Sequence, residues 1–120
     1  MFKEKVSPEE KICNKIIGKN IRFFRERCFI MKTRKGGKNH LTSCLTQTQL
    51  ARKIDVSCQQ LQKYEKGSNR ISIYKLLKLC EFFKVPIKYF TDPETTNKIP
   101  YTRNLYERLQ YNSNEDNINN

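Results

Sequence analysis

The chain has 120 residues, with 24 Lys and Arg against 12 Asp and Glu, for a formal charge of +12. Two of the acids, Glu115 and Asp116, fall in the last nine residues, so residues 1–111 carry +14, a field that attracts polyanions. The length suits one compact domain, no apolar run approaches the roughly 18–20 residues of a membrane span, and the N-terminus lacks the apolar core of a secretory signal.

A chain of this kind is expected in the cytoplasm, away from any membrane. Its five cysteines (Cys13, Cys28, Cys44, Cys58, Cys80) are odd in number and include no CxxC pair. They read as reduced thiols and small core fillers. Cys28, His40 and Cys44 suggest three zinc ligands, with His40 and Cys44 one helical turn apart. The paired spacing of a zinc finger is missing, so neither metal nor cofactor is expected. His40 is the only histidine, and nothing sets a base beside a thiol. With no phosphate loop and no paired-carboxylate site, the chain is not expected to be an enzyme.

Residues 1–9 are polar and read as a flexible start, with Ser7-Pro8 as a cap and first-turn signal. From Glu10 to about Phe29, apolar residues at Cys13, Ile17, Ile21, Phe24 and Cys28 draw one stripe down a first helix. Residues 31–45, with bases around Gly36-Gly37, read as a long basic loop. Thr46 and Gln49 form a capping box for a second helix, Gln47 to Ile54, which buries Leu50, Ala51 and Ile54. Asp55-Val56 makes a tight connection, because Asp tolerates the left-handed conformation. Ser57 caps a third helix that runs to about Lys66 and stops at Gly67. Ser72 caps a fourth, with Ile73, Leu76, Leu77, Cys80 and Phe83 as its core side. Pro86 opens a short fifth helix through Phe90, and Asp92-Pro93 closes a domain spanning residues 10–92. Residues 93–120 are polar and Asn-rich and read as a flexible tail, in which Arg103 to Tyr111 could form a helix on docking to a partner. The fold class is therefore all-α, a five-helix domain with a flexible C-terminal tail.

The second and third helices carry the chemistry. A helix-turn-helix needs apolar packing positions, here Leu50, Ile54, Val56, Leu61 and Tyr64, and a small contact residue, here Ala51. What remains outward on the third helix is Cys58, Gln59, Gln60, Gln62 and Lys63. Glutamine can pair with adenine through two hydrogen bonds, and lysine can reach guanine or phosphate.

The stretch from Ile17 to Phe90 resembles the Cro/C1-type (XRE-like) helix-turn-helix family. The matching pieces are Ile17-Gly18, Ile21-Arg22, Arg25, Thr46-Gln47-Thr48-Gln49-Leu50-Ala51, Val56-Ser57, Tyr64-Glu65-Lys66-Gly67 and Leu76-Leu77 through Val85-Pro86. The wording from Ser57 to Arg70 looks close to a bacterial subgroup of such regulators. The resemblance implies a lambda-repressor-like fold and sequence-specific binding of double-stranded DNA by a homodimeric transcriptional regulator. It places Gln47 against a phosphate, Cys58, Gln59 and Lys63 on base edges, and Gln60 with Ser68, Asn69 and Arg70 on base edges or backbone. Ser57 joins the backbone set, and Arg25 with Glu65 matches a buried ion pair of the family. The sequence departs from the family at Asp55, where Gly is usual, at Cys58, and in the long connection before Thr46. Lys32, Arg34, Lys35 and Lys38 in that connection could add phosphate contacts, Lys35 foremost. An alternative is an antitoxin-like protein whose tail, from Tyr101 to Tyr111, captures another protein.

Overall fold

Ser7 sets the start of the first helix. Its hydroxyl oxygen accepts the Glu10 backbone N–H at 3.1 Å, Pro8 takes the first helical position, and α1 runs Pro8–Glu26. The computed structural model describes residues 6–33 and 39–98. Within them α1 is followed by the strands β1 (Phe29–Thr33) and β2 (Asn39–Cys44), then α2 (Gln47–Lys53), α3 (Cys58–Lys66), α4 (Ile73–Phe83), α5 (Lys88–Thr91) and α6 (Thr95–Lys98). The helical fold class stands, as do the five helices read from the sequence.

The core is built on α1. Ile17, Ile21 and Phe24 lie on the stripe the spacing predicts and are buried, whereas Cys13 is exposed. Phe24 stacks at 5.6 Å on Phe83 of α4 and at 5.1 Å on Phe90 of α5, so three helices share one aromatic centre. Asn20 is fully buried and donates its amide to the carbonyls of Phe90 and Asp92 at 2.8 and 2.9 Å. A buried amide with partners 70 residues away ties the end of the domain to α1.

Three readings need correction. The stretch 31–45, expected as loop, contains most of an antiparallel two-stranded ribbon, with Phe29 paired to Cys44, Lys32 to His40, and an irregularity between Phe29 and Met31. The ribbon is closed at its base by the Leu45 N–H donating to the Cys28 carbonyl at 2.7 Å. His40 and Cys44 therefore lie along an extended strand, roughly 12–13 Å apart at Cα, instead of one helical turn.

Second, α4 faces the core with Leu76, Leu79 and Phe83, while Ile73 and Leu77, read as core, are 65% and 51% exposed. Third, the segment after Asp92 does not lose structure at once. Thr95 opens α6, is buried, and donates its hydroxyl to the Tyr89 carbonyl at 2.6 Å. Asp92 accepts the Glu94 N–H and pairs with Lys98 at 2.7 Å, and the Lys98 hydrogen bond holds its carboxyl below the usual range. The tail readings for residues 99–120, and Lys35, lie outside the described residues.

Candidate nucleic-acid interface

Local hydrogen bonds set the two central helices. The Thr46 hydroxyl accepts the Gln49 N–H at 3.1 Å, and the Gln49 side chain accepts the Thr46 N–H at 2.9 Å, completing the capping box. The turn then passes through Asp55 at φ 59°, the left-handed conformation that usually calls for Gly. It is closed by the Val56 N–H donating to Ala51 at 3.0 Å. Lys75 of α4 reaches over and donates to the carbonyls of Ile54 and Asp55 at 2.9 and 3.0 Å. Those carbonyls end α2, where a cation meets the negative pole of the helix.

α3 starts on Ser57, whose hydroxyl oxygen accepts the Gln60 N–H at 3.0 Å, and ends on Gly67 at φ 74°. Leu61 is fully buried and Tyr64 nearly so. The opposite face holds Gln59, Gln62 and Lys63, all exposed, with Cys58 and Gln60 half-buried at its edges. Lys66 is exposed and lies one turn beyond Gln62 and Lys63 on that face, although the sequence reading passed over it.

Cys58 is less free than its position suggests. Its sulfur accepts the Thr48 hydroxyl at 3.5 Å and the Gln62 amide at 3.7 Å. The thiol thus links the start of α2 to the exposed face of α3, and Thr48 joins the surface unannounced by any sequence signal.

Behind this face lies a buried polar junction. The Arg25 guanidinium forks onto Glu65 at 2.7 and 2.9 Å and donates a third bond to the Leu45 carbonyl at 3.1 Å. The two side chains are only 11% and 4% exposed. Gln47, assigned by resemblance to a phosphate, donates its amide to the same Glu65 carboxylate at 3.2 Å. One carboxylate thereby holds α1, α2 and α3 in register.

The loop after α3 is placed differently from the base-reading candidates. The Ser68 backbone N–H and hydroxyl both donate to the Lys63 carbonyl, at 3.0 and 3.2 Å, while Asn69 is exposed. Arg70 is ion-paired with Glu10 of α1. Gly67 to Arg70 face Lys11, Asn14 and Lys15 across an open cleft of about 530 Å³, so a polyanion here would meet bases from two elements. Among the described residues no helix is long and apolar enough to cross a membrane.

A domain in which a capped helix, a left-handed turn and a second capped helix present a polar face is of helix-turn-helix type. The helix-turn-helix family model matches residues 45–90, which span α2 to α5. Over 97 residues the chain is 36% identical to HTH-type transcriptional regulators of Rickettsia prowazekii and Rickettsia conorii. Those alignments cover 80% of this chain and 68% and 71% of the relatives. Over 46 residues it is 54% identical to a transcriptional regulator in the ATPase CF(0) region of Rhodospirillum rubrum, covering 38% of this chain and 43% of that protein. No solved structure gives a significant match. The chain belongs to the Cro/C1-type helix-turn-helix family of transcriptional regulators.

Proposed function

We propose that the protein is a homodimeric transcriptional regulator that reads double-stranded DNA in the major groove with α3. The observation that carries this reading is the face of Gln59, Gln62, Lys63 and Lys66, polar, exposed and mounted on a helix fixed at both ends. Side-chain amides there suit adenine edges, and the lysines suit guanine acceptors or phosphates. The +14 on residues 1–111 supplies the sequence-independent attraction that brings DNA to that face.

In this reading Cys58, Gln59, Gln60, Gln62 and Lys63 approach base edges. Ser57, Ser68, Asn69 and Arg70 approach the sugar-phosphate backbone, as does Lys35. Gln47 shares its amide between Glu65 and a phosphate. Arg70 must exchange its exposed partner Glu10 for a phosphate, which costs little because solvent screens that pair. The reading calls for no catalysis and no cofactor. A regulator that reads a bacterial chromosome works in the cytoplasm.

Selection of bound sequences from a random duplex pool at near-physiological salt tests the proposal. An enriched inverted repeat, with half-sites one helical turn or about 34 Å apart, is the expected result. Salt-sensitive binding with no enriched sequence would sink it, leaving only the charge.

A further inference from the structure

The cleft between α1 and the loop that follows α3 carries positive charge that neither the fold nor the reading face uses. Lys11, Asn14 and Lys15 line one wall, and Gly67, Ser68, Asn69 and Arg70 line the other. We infer that this cleft is a second grip on the duplex, in which Lys11, Lys15 and Arg70 hold phosphates of the strand that runs past the end of α3. The inference rests on the DNA-reading proposal above and extends it to α1, which that proposal leaves outside the contact.

Three observations select a phosphate backbone as the occupant. The first is which bases are unspent. Of those on α1, Arg22 pairs with Glu26 and Arg25 with Glu65, while Lys19 lies off the cleft. Lys11 and Lys15 are exposed and have no ion pair among the described residues. Two like charges one turn apart, roughly 6 Å along the helix, repel each other and are relieved by a bound polyanion. The second is placement. A Cβ built on Gly67 would stand 2.7 Å from the Lys15 Cα, so glycine lets α1 come this near the end of α3. Lys15 is thereby fixed where the chain leaves the reading helix, directly after Lys66. The third is openness. Lys11, Lys15, Ser68, Asn69 and Arg70 are all exposed. A free small anion would keep its water in such a cleft and bind weakly. A phosphate of a duplex already seated on α3 arrives at high effective concentration. Glu10 at the rim sets the strength of the grip. Its carboxylate accepts from Arg70 at 3.3 Å and must give Arg70 up when phosphate arrives.

Binding of the full chain to random duplex, measured at four salt concentrations, is the test. Lys11→Ala and Lys15→Ala together should lower the slope of log affinity against log salt by about two. The melting temperature should hold, since both side chains are exposed. Lys88→Ala, at an exposed base of α5 outside the cleft, should leave the slope unchanged. Glu10→Gln should tighten binding about two- to fivefold, as Arg70 is released and an acid is removed from the rim. A slope that does not fall in the double variant overturns the inference. So does an equal fall in Lys88→Ala, or a Glu10→Gln protein that binds no tighter. The reading helix fails separately. A slope that falls by about two in a protein that selects no sequence upholds the cleft while sinking α3 as a reader. A protein that selects an inverted repeat and keeps its full slope in the double variant does the reverse.

Discussion

Gly18 of α1 lies so close to the backbone of Glu65 in α3 that a Cβ built on it would stand 2.6 Å from the Glu65 carbonyl oxygen. The Tyr64 carbonyl crowds it as well. Backbone cannot swing aside as a flexible side chain can, so α1 and α3 would have to part. Gly18→Ala should therefore cost about 3 kcal/mol, against the small gain Ala normally brings to a helix interior. A urea midpoint that stays the same or rises in Gly18→Ala would show that the two helices are not packed this tightly.

Arg25 and Glu65 act on two levels that can be separated. Arg25→Met strands a carboxylate only 4% exposed and should cost about 3–5 kcal/mol. Removing both charges together, as Arg25→Met with Glu65→Leu, should recover most of that loss, because a buried pair is expensive to desolvate. DNA affinity should not recover with it, since Gln47 loses the acceptor that holds its amide. Stability and binding measured on both variants and the parent protein check this, and parallel recovery of both would show that Gln47 needs no such support.

Two residues sit in the left-handed conformation without being glycine, Asp55 at φ 59° and Lys84 at φ 58°. The conformation costs an ordinary side chain about 1–2 kcal/mol, and glycine returns part of that as unfolded-chain entropy. Lys84→Gly should raise stability by about 0.5–1 kcal/mol, a melting shift of several degrees for a domain this size. Asp55→Gly should gain less, because Asp tolerates that region better than Lys does. A larger gain at Asp55 in a thermal melt would mean the turn is held under strain by Lys75.

The contrast between these sites and the rest shows what the sequence makes legible. The helix-turn-helix could be read because its signals are local. Thr46 with Gln49, Ser57 and Gly67 each satisfy a backbone group within three or four residues. The α4 face could not be read that way. Ile73, Leu76, Leu77, Leu79, Phe82 and Phe83 put apolar residues on nearly every side of α4, and tertiary contacts, such as Phe83 against Phe24 of α1 and Phe90 of α5, settle that Leu79 is buried while Ile73 and Leu77 stay out. The ribbon was hidden for a related reason. Its pairing joins residues as far apart as Phe29 and Cys44, and the run of bases around Gly36-Gly37 carries none of the alternation that marks a strand. Asn20 looks like any surface polar residue of a helix, and its partners at Phe90 and Asp92 are distant in sequence. At the interface the period of α3 exposes Lys66 in hindsight, whereas the Thr48–Cys58 contact depends on the relative placement of two helices.

Cys28 gives the fold an alkaline limit. Burial pushes its thiol from an ordinary 9.0 up to about 11, with a smaller contribution from nearby Cys44. The folded state thus keeps the proton that the unfolded chain gives up. Its stabilising effect is complete below pH 9 and is lost as pH rises toward about 11, at about 1.4 kcal/mol per unit. Urea unfolding from pH 8 to 11 should show this slope, and Cys28→Ala should flatten it while lowering stability overall. A thiol reagent should reach exposed Cys13 long before Cys28.

Lys66 and Gln59 share one face of α3, and their chemistry separates them. Lysine is a compact charge on a flexible stem, at the end of the helix away from Ser57, and suits a phosphate whatever the base beside it. Lys66→Ala should weaken binding to selected and random duplexes alike and lower the slope of log affinity against log salt by about one. Gln59, in the first turn of the helix, has an amide whose donor and acceptor match an adenine edge. Gln59→Ala should cost about 1–3 kcal/mol on the selected duplex, little on random DNA, and leave the salt slope where it was. Binding isotherms at four salt concentrations on both duplexes resolve the two patterns. Equal losses on the two duplexes for Gln59→Ala would remove it from the base-reading set, and a Lys66→Ala protein that loses only sequence preference would put Lys66 there in its place.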